Sequence, residues 1–326
     1  MISIIPYSSS MKGDWDRFLE ESKNATFLFR RGFMEYHRDR FIDHSLMIYD
    51  DETLVSLFPA NKRSSDTIAS HDGLTYGGLL VKKGEYSTNA IFYLASLLKY
   101  LNEKGIRKML FKQIPSFYCH VSSEEIDYAL ALADARVERV DLVSAIELSS
   151  PDRIKYQRRR KAGIKKALEH NVSVSESDDF ARFWNEILIP NLGGRHGVKP
   201  VHSLQEIQKL CQDNPGKIRQ FCAFFEGRVM AGCTVFETDN VAHLQYFSGC
   251  DEGRGNGALD LLVHHLLTEV FQDKPIVDFG NSNSEGWRKV NKGLLDWKEG
   301  FGARSFAQRF FEVETSHYSL IQEAIS

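Results

Sequence analysis

The sequence has few cysteines and no residue spacing typical of a metal site. Its five cysteines include no CxxC pair and none at a metal-like spacing from a histidine, so we expect reduced thiols and no bound metal. No uninterrupted apolar run approaches the roughly 18 residues that a membrane-spanning helix requires. The first residues also lack the basic segment and long apolar stretch of a secretory signal. These absences predict a cytoplasmic protein without a membrane span.

Neither sign of charge predominates. The 41 Lys and Arg residues nearly balance the 44 Asp and Glu residues, and the net charge is −3, so no global field favours nucleic acid or an anionic membrane. The length of 326 residues, 42% of them hydrophobic, is typical of a globular chain of two domains. We place the division near Ser149-Ser-Pro-Asp152, which gives domains 1–150 and 151–326. None of these features predicts the oligomeric state.

One glycine-rich stretch carries the strongest functional signal. Residues 242–249 predict a strand, residues 250–257 a polar loop, and residues 258–271 a helix with apolar residues at helical spacing. Such a junction directs unpaired backbone N–H groups and the positive end of a helix dipole at one point, which suits a phosphate or pyrophosphate. The alternative is a strand-to-helix turn that binds no ligand.

The elements around this stretch occur twice along the chain. A hairpin, a strand, a helix and a further strand are predicted at 220–236, 242–249, 258–271 and 275–279, and again at 45–60, 74–81, 90–101 and 108–112. This repetition predicts a mixed α/β fold with two tandem copies of one plan, each a twisted mixed sheet flanked by helices. The first copy has a single glycine in Lys82–Ser87 where the second has three, so we expect it to be structural or to form one wall of a ligand cleft.

Two further segments carry clustered basic residues. The stretch 153–166 has eight Lys and Arg residues and no acid, and Asp152 precedes it. If helical from Asp152, it is a solvated helix, a contact for a phosphorylated substrate, or an RNA-binding surface. The predicted loop 190–202 contains Arg195 and His196 and favours a substrate-lining segment, although a loop histidine also occurs as a plain surface residue.

The duplicated plan, the basic segment and the C-terminal Gly293-Leu-Leu-Asp-Trp-Lys-Glu-Gly-Phe-Gly302 resemble the FemABX-like branch of the GNAT acyltransferase superfamily. Lys298 to Gly302 is similar to the Phe-Lys-x-x-Phe-Gly signature of that branch, with Trp297 as the first aromatic residue. The resemblance implies transfer of an acyl or aminoacyl group to an amine of a cell-envelope precursor, such as a peptidoglycan peptide or an amino sugar. It also implies that Arg158, Arg159 and Lys298 lie near substrate phosphates.

The resemblance leaves the donor open between an acyl-CoA such as acetyl-CoA and an aminoacyl-tRNA. If the donor is acyl-CoA, the resemblance implies that the glycine stretch binds its pyrophosphate through Ser248, Gly249, Cys250, Gly253, Arg254, Gly255, Asn256 and Gly257. The sequence departs from the CoA-binding pattern at Glu252, where that pattern has Gln or Arg.

The reaction needs a base for the acceptor amine and an acid for the leaving group. We expect the base among Glu237, His243 and Asp278, with His196 as a further candidate, and Tyr246 as the acid. Arg195 and His196 are expected to contact the substrate. The alternative to an enzyme is a non-catalytic module of the same fold that binds an anionic glycan or a nucleotide-sugar.

Overall fold

The computed structural model describes residues 1–153, 155–284 and 286–326, without the side chains of Arg195 and His196. The strands are β1 (Ile2–Pro6), β2 (Ile42–Asp43), β3 (Leu46–Asp50), β4 (Thr53–Phe58), β5 (Asn61–Lys62), β6 (Thr67–Ala69), β7 (Leu80–Val81), β8 (Lys108–Lys112), β9 (Arg136–Glu147), β10 (Ser173–Glu176), β11 (Ile218–Phe225), β12 (Arg228–Glu237), β13 (Val241–Gly249), β14 (Ile276–Asn281), β15 (Asn283–Ser284), β16 (Lys289–Val290) and β17 (Arg304–Glu314).

The helices are α1 (Lys12–Glu21), α2 (Arg31–Met34), α3 (Ser87–Glu103), α4 (Glu125–Leu132), α5 (Arg158–Glu169), α6 (Phe180–Phe183), α7 (Ile189–His196), α8 (Leu204–Asp213), α9 (Asp251–Asn256), α10 (Ala258–His265), α11 (Lys292–Glu299) and α12 (Tyr318–Ala324). The π-helical segments Trp184–Leu188 and Leu266–Val270 continue α6 and α10. Among the described residues, no helix is long and apolar enough to cross a membrane.

The chain divides into two compact units. The first contains residues 1–141 and 307–326, and the second contains residues 142–306. Each combines strands and helices around its own hydrophobic core. The predicted mixed α/β class is therefore confirmed.

The first unit is built on α3, the longest described helix. Its buried residues recur at helical spacing and pack into a core with the hairpin β3–β4 and strand β8. The predicted strand 74–81 forms only at β7, because the backbone before it bonds elsewhere. The Asn24 side chain donates to the Leu79 carbonyl (2.8 Å) and accepts from the Val81 N–H (3.0 Å), and Gly77 N donates to the Lys112 carbonyl (2.8 Å).

The second unit has a sheet in the order β10-β11-β12-β13-β14-β9. Its neighbours are antiparallel except β13 and β14, which are parallel. Helices α5 and α10 pack on one face, and Phe183 and Trp184 lie on the other, where Gly232 of β12 leaves room for the Phe183 ring. The hairpin β11–β12 confirms the predicted one, and Ser203 opens α8 with the predicted capping box.

The strand that closes each sheet comes from a distant part of the chain. In the first unit, β8 pairs with residues 310–314 of β17. In the second, β14 pairs with residues 143–147 of β9. The division near residue 150 that the sequence suggested therefore differs from the compact units, because β9 and β17 each pass from one unit into the other.

Candidate active site

The candidate active site lies where two neighbouring strands of the second unit part. Strands β13 and β14 run parallel over three residue pairs, of which the last is His243 with Asp278. Beyond that pair, β13 carries a bulge with Gln245 as its extra residue, whereas β14 continues beside β9. Openings at the carboxyl ends of parallel strands are common ligand sites.

A histidine and an aspartate meet at this last pair. His243 Nδ1 lies 2.8 Å from Asp278 Oδ2, and the two side chains are only 11% and 4% exposed. The other carboxylate oxygen accepts a 2.6 Å hydrogen bond from the Gly280 N–H. Because the carboxylate holds the Nδ1 proton, Nε2 is the ring nitrogen that can accept a proton from a substrate. The pair has the arrangement of a general base with an orienting acid.

Lys298 is buried on the same stretch of β14. Its Nζ donates hydrogen bonds to the carbonyls of Gly280 (2.9 Å) and Asn281 (2.5 Å), and its side chain is fully buried. Burial lowers the pKa of the Lys298 amine from 10.5 to about 8, while the Asp278 carboxylate opposes this shift. The structure thus brings Lys298, predicted near substrate phosphates, to the residues that follow Asp278.

We expect the free energy of unfolding to depend on pH through Lys298. Its folded pKa of about 8 lies below the usual 10.5, so between these values the unfolded chain binds more protons and stability rises with pH. Below pH 8 the Lys298 amine is charged in both the folded and the unfolded chain, so folding bears the full cost of burying that charge. Above pH 10.5 the amine is neutral in both states, and the cost is absent. At about 1.4 kcal/mol per pKa unit, Lys298→Met should remove on the order of 3 kcal/mol of this rise.

Urea unfolding of the wild type and of Lys298→Met at a series of pH values measures this difference. The other titrating groups are common to both proteins, so their contributions cancel in the comparison. Stability curves that stay parallel between pH 8 and 10.5 would show that the Lys298 pKa is not lowered.

The signature segment around Lys298 is fixed to helices α5 and α10. Trp297 Nε1 donates to Asp260 Oδ1 at 3.0 Å, and Arg160 forms an ion pair with the same carboxylate. Burial raises the pKa of the Asp260 carboxyl, and Arg160 opposes that shift. Sequence reasoning missed Asp260 and Arg160, although an acid on the apolar face of α10 was a usable signal because buried acids are rare without a partner.

The predicted glycine loop has a different conformation, since residues 251–256 form helix α9. Five backbone N–H groups at this turn have partners within the protein: Cys250 with Met230 O, Gly253 with Cys250 Sγ, Arg254 with Cys250 O, Gly257 with Gly253 O, and Ala258 with Asn256 Oδ1. These five amides are therefore engaged before any ligand binds. The cofactor-binding role of this turn stays a prediction.

Side chains at the turn are also engaged. Arg254 contacts Asp251 and the Gly249 carbonyl, and Glu252 forms a 3.1 Å ion pair with Arg228. Ser248 Oγ accepts a 2.8 Å hydrogen bond from Asn191. The positive charge of Arg254 is therefore already matched by an acid before any ligand binds.

Two glycines at this turn allow close backbone approach within the protein. A Cβ atom at Gly253 would overlap the Met230 carbonyl, and one at Gly257 would overlap the Gly163 carbonyl of α5. Gly255, by contrast, has open space around its Cα. Gly253 and Gly257 thus allow the close packing of α9 and α10. The sequence analysis had predicted these glycines only as part of a ligand-binding loop.

We expect Gly253→Ala to lower the free energy of unfolding by about 1–3 kcal/mol through overpacking. Gly255→Ala, two residues along the same short helix, is the matched control and should change stability by about 0.5 kcal/mol or less. Urea unfolding measures both. Equal effects of the two substitutions would refute the packing role of Gly253.

The other two predicted catalytic residues, Tyr246 and Glu237, have partners within the protein. Tyr246 OH lies 2.7 Å from His202 Nδ1 and accepts a 3.2 Å hydrogen bond from His202 N, and burial raises the pKa of Tyr246 to about 12. Glu237 pairs with Arg219 (3.2 Å) and Lys274 (3.0 Å). Its neighbour Phe236 pairs with His243, so by strand alternation Glu237 points to the opposite face from His243.

The predicted substrate-binding residues are placed at two helices. Arg158 and Arg159 are exposed at the start of α5, which begins at Arg158 rather than at Asp152. Ile154 lies outside the described residues. The predicted loop 190–202 is helix α7 up to His196, and a left-handed Gly197 ends it. The side chains of Arg195 and His196 lie outside the described part of the chain.

Comparison with known proteins places the fold. No protein-family model matches the sequence, and a search of curated proteins finds no similar sequence. The structure is similar to that of FemX, with a TM-score of 0.68 and 11% identity over 99% of this chain and 100% of that one. It is also similar to L-PGS from Bacillus licheniformis, with a TM-score of 0.59 and 13% identity over 96% of each chain.

A tandem GNAT protein from the clavulanic acid biosynthesis pathway has a TM-score of 0.51 and 12% identity, over 97% of this chain and 99% of that chain. These similarities extend over nearly the whole chain and confirm the fold that the sequence resemblance implied. The chain therefore has the same fold as FemX and this tandem GNAT protein.

Proposed function

We propose that this protein transfers an aminoacyl group from aminoacyl-tRNA to a primary amine of a cell-envelope precursor. The proposal depends mainly on one observation, the His243 and Asp278 pair at the last parallel contact of β13 and β14. The fold shared with FemX and with L-PGS supports acyl transfer as the general reaction.

We propose aminoacyl-tRNA as the donor because backbone N–H groups of the glycine turn are already hydrogen-bonded within the protein. An acyl-CoA needs donors for its pyrophosphate, but five N–H groups between Cys250 and Ala258 bond within the protein. An aminoacyl-tRNA instead brings a polyanionic chain that exposed Arg and Lys side chains can contact. Arg158 and Arg159 are exposed on α5, and Arg160 of the same helix lies over the ring of Trp297 in the signature segment.

The chemistry assigns a proton path to His243. The lone pair of the neutral acceptor amine attacks the carbonyl carbon of the aminoacyl ester, and Nε2 takes a proton from the same nitrogen as the N–C bond forms. The C–O bond to the ribose breaks, and the proton on His243 passes to the leaving oxygen. Amine and ester thus become amide and alcohol with no net change in protons. Asp278 stabilises the imidazolium that forms between the two transfers.

A radiolabelled transfer assay tests the proposal. A mixture of tRNAs charged with ¹⁴C-labelled amino acids is incubated with the protein and a muramyl pentapeptide that carries a free amine, and label in the peptide is measured. Acetyl-CoA with release of free thiol is the parallel arm. Transfer from tRNA supports the proposal, transfer only from acetyl-CoA corrects the donor, and anion binding without turnover from either donor favours a non-catalytic module.

We expect Arg158→Glu to weaken tRNA binding in a salt-dependent way. Loss of one phosphate contact should reduce the slope of log K against log salt by about 1. Lys165→Glu is the matched control, because Lys165 lies two turns along the same helix and is paired with Glu169 at 3.6 Å. Fluorescence anisotropy of labelled tRNA between low and physiological salt measures both. An unchanged slope in Arg158→Glu would make that end of α5 a solvated surface.

A further inference from the structure

Gln245 occupies an unusual position beside the proposed catalytic pair. Val235 of β12 pairs with Leu244, and the preceding residue Thr234 pairs with Tyr246, so Gln245 is the extra residue of a β-bulge. It follows His243 by two residues, just beyond the point where β13 and β14 stop pairing. Bulges often occur beside active sites, where they redirect a side chain.

The side-chain amide of Gln245 forms a hydrogen bond to Tyr246, whereas its oxygen has no partner among the described residues. A hydrogen bond from the Gln245 side chain to Tyr246 contributes to the pKa of that tyrosine, against the larger effect of burial. The Gln245 Oε1 atom is buried and has no hydrogen-bond partner among the residues that the structure describes. A buried acceptor without a partner costs stability, so its retention calls for an explanation.

The Gln245 side chain bonds to a residue on the face that carries His243. Tyr246 bonds to His202, and the His202 ring lies 5.9 Å from that of Phe236. Phe236 pairs directly with His243 across β12 and β13, and directly paired residues share one face of a sheet. Tyr246, to which the Gln245 side chain bonds, therefore lies on the same side of the sheet as His243.

We propose that Gln245 Oε1 is the acceptor that binds the substrate's primary amine as it reacts, a role that rests on the transfer reaction proposed above. An ammonium group has three protons. One is lost to solvent before the lone pair can attack, one passes to His243 during the attack, and one remains on the amide product. Gln245 Oε1 accepts a hydrogen bond from an N–H that His243 does not remove, and so directs the nitrogen lone pair towards the acyl carbon. The ligand class is a primary amine in its protonated form.

Amine binding can be measured without turnover. n-Butylammonium chloride is titrated into the ¹⁵N-labelled full-length protein, with n-butanol as the shape-matched neutral control, and the Gln245 side-chain NH₂ signals are followed by NMR. The signals are assigned by their absence in Gln245→Met. We expect a saturable shift with the amine and none with the alcohol. In Gln245→Met, which lacks these side-chain signals, binding is followed on the backbone amide signals of residues 243–246, and the dissociation constant should be about tenfold higher, as expected for a lost charge-assisted hydrogen bond.

Gln220→Met is the matched control on the same sheet. Gln220 pairs with Thr234, which pairs with Tyr246, and its amide is satisfied by Thr234 Oγ1 (2.6 Å) and the Phe221 carbonyl (2.9 Å). Gln220→Met should therefore lower the melting temperature and leave amine binding unchanged. Gln245→Met should retain its melting temperature and lose affinity.

Failure of the amine site and failure of the proposed reaction give different results. If no donor supports transfer but the amine still shifts the Gln245 signals, the amine-binding role of Gln245 is supported and the proposed aminoacyl transfer is refuted. If transfer occurs and Gln245→Met leaves the KM for the amine unchanged, the transfer reaction is supported and the amine-binding role of Gln245 is refuted. The absence of a saturable shift in the wild-type protein also overturns the site.

Discussion

Replacing His243 with Asn should lower kcat/KM for the proposed transfer by about 10²- to 10⁴-fold, the usual contribution of a positioned general base. The Asn Nδ2 can still donate to the Asp278 carboxylate, which His243 Nδ1 contacts at 2.8 Å, but no nitrogen remains that can accept a proton. The variant should fold normally, because it keeps the hydrogen bond and removes only part of a ring. Steady-state transfer at saturating donor measures the loss, and urea unfolding monitors the fold.

Asp278→Asn is the companion variant. Its amide would present an N–H to His243 Nδ1 and so favour the tautomer with the proton on Nε2, which cannot act as a base. We expect a comparable loss of activity, together with a changed acid limb in the pH dependence of kcat/KM. If His243→Asn kept activity within about threefold of the wild type, the proton would leave by another route, for which His196 is the other histidine that the sequence indicates.

Local patterns in the sequence predicted the elements that depend on local chemistry. The turn Glu226-Gly227 joins β11 to β12 with both residues at positive φ, 48° and 75°, as a tight hairpin turn requires. The capping box at Ser203 also formed. In both cases the interactions that decide the structure lie within a few residues, so a sequence window contains them.

The pairing of His243 with Asp278 could not be read from the sequence. Both were named as candidates for the base, but their contact depends on the parallel register of β13 and β14, which are separated by α9 and α10. The bulge at Gln245 is equally non-local, because it is defined against β12. The sequence therefore indicated His243 and Asp278 individually, and only the sheet shows that they are in contact.

The glycine turn has a packing role that the sequence did not indicate. Three glycines in a polar stretch are typical of a phosphate loop, yet Gly253 and Gly257 sit where the backbone approaches the Met230 and Gly163 carbonyls. A glycine needed for close packing and one needed for a ligand look alike in a sequence. Only the neighbouring backbone, distant along the chain, distinguishes them.

Dividing the chain where the sequence suggests should abolish folding of the second half. A fragment of residues 151–326 lacks residues 143–147 of β9, which pair with β14, whereas a fragment of residues 142–306 contains the whole second unit. The missing segment carries Val143, Ala145 and Ile146, all at most 4% exposed. Burial of these side chains contributes on the order of 5 kcal/mol, a large fraction of the roughly 5–15 kcal/mol that holds a domain folded.

The loss also leaves β14 as an unpaired edge next to the catalytic pair, because Asp278 itself pairs with Ala145. We therefore expect residues 142–306 to unfold cooperatively in urea, with a clear change in tryptophan fluorescence, and residues 151–326 to show no cooperative transition. Equal unfolding midpoints for the two fragments would mean that β9 is not needed to close the sheet. In that case the support that β9 gives to Asp278 would have to come from within β14 itself, through the Gly280 N–H.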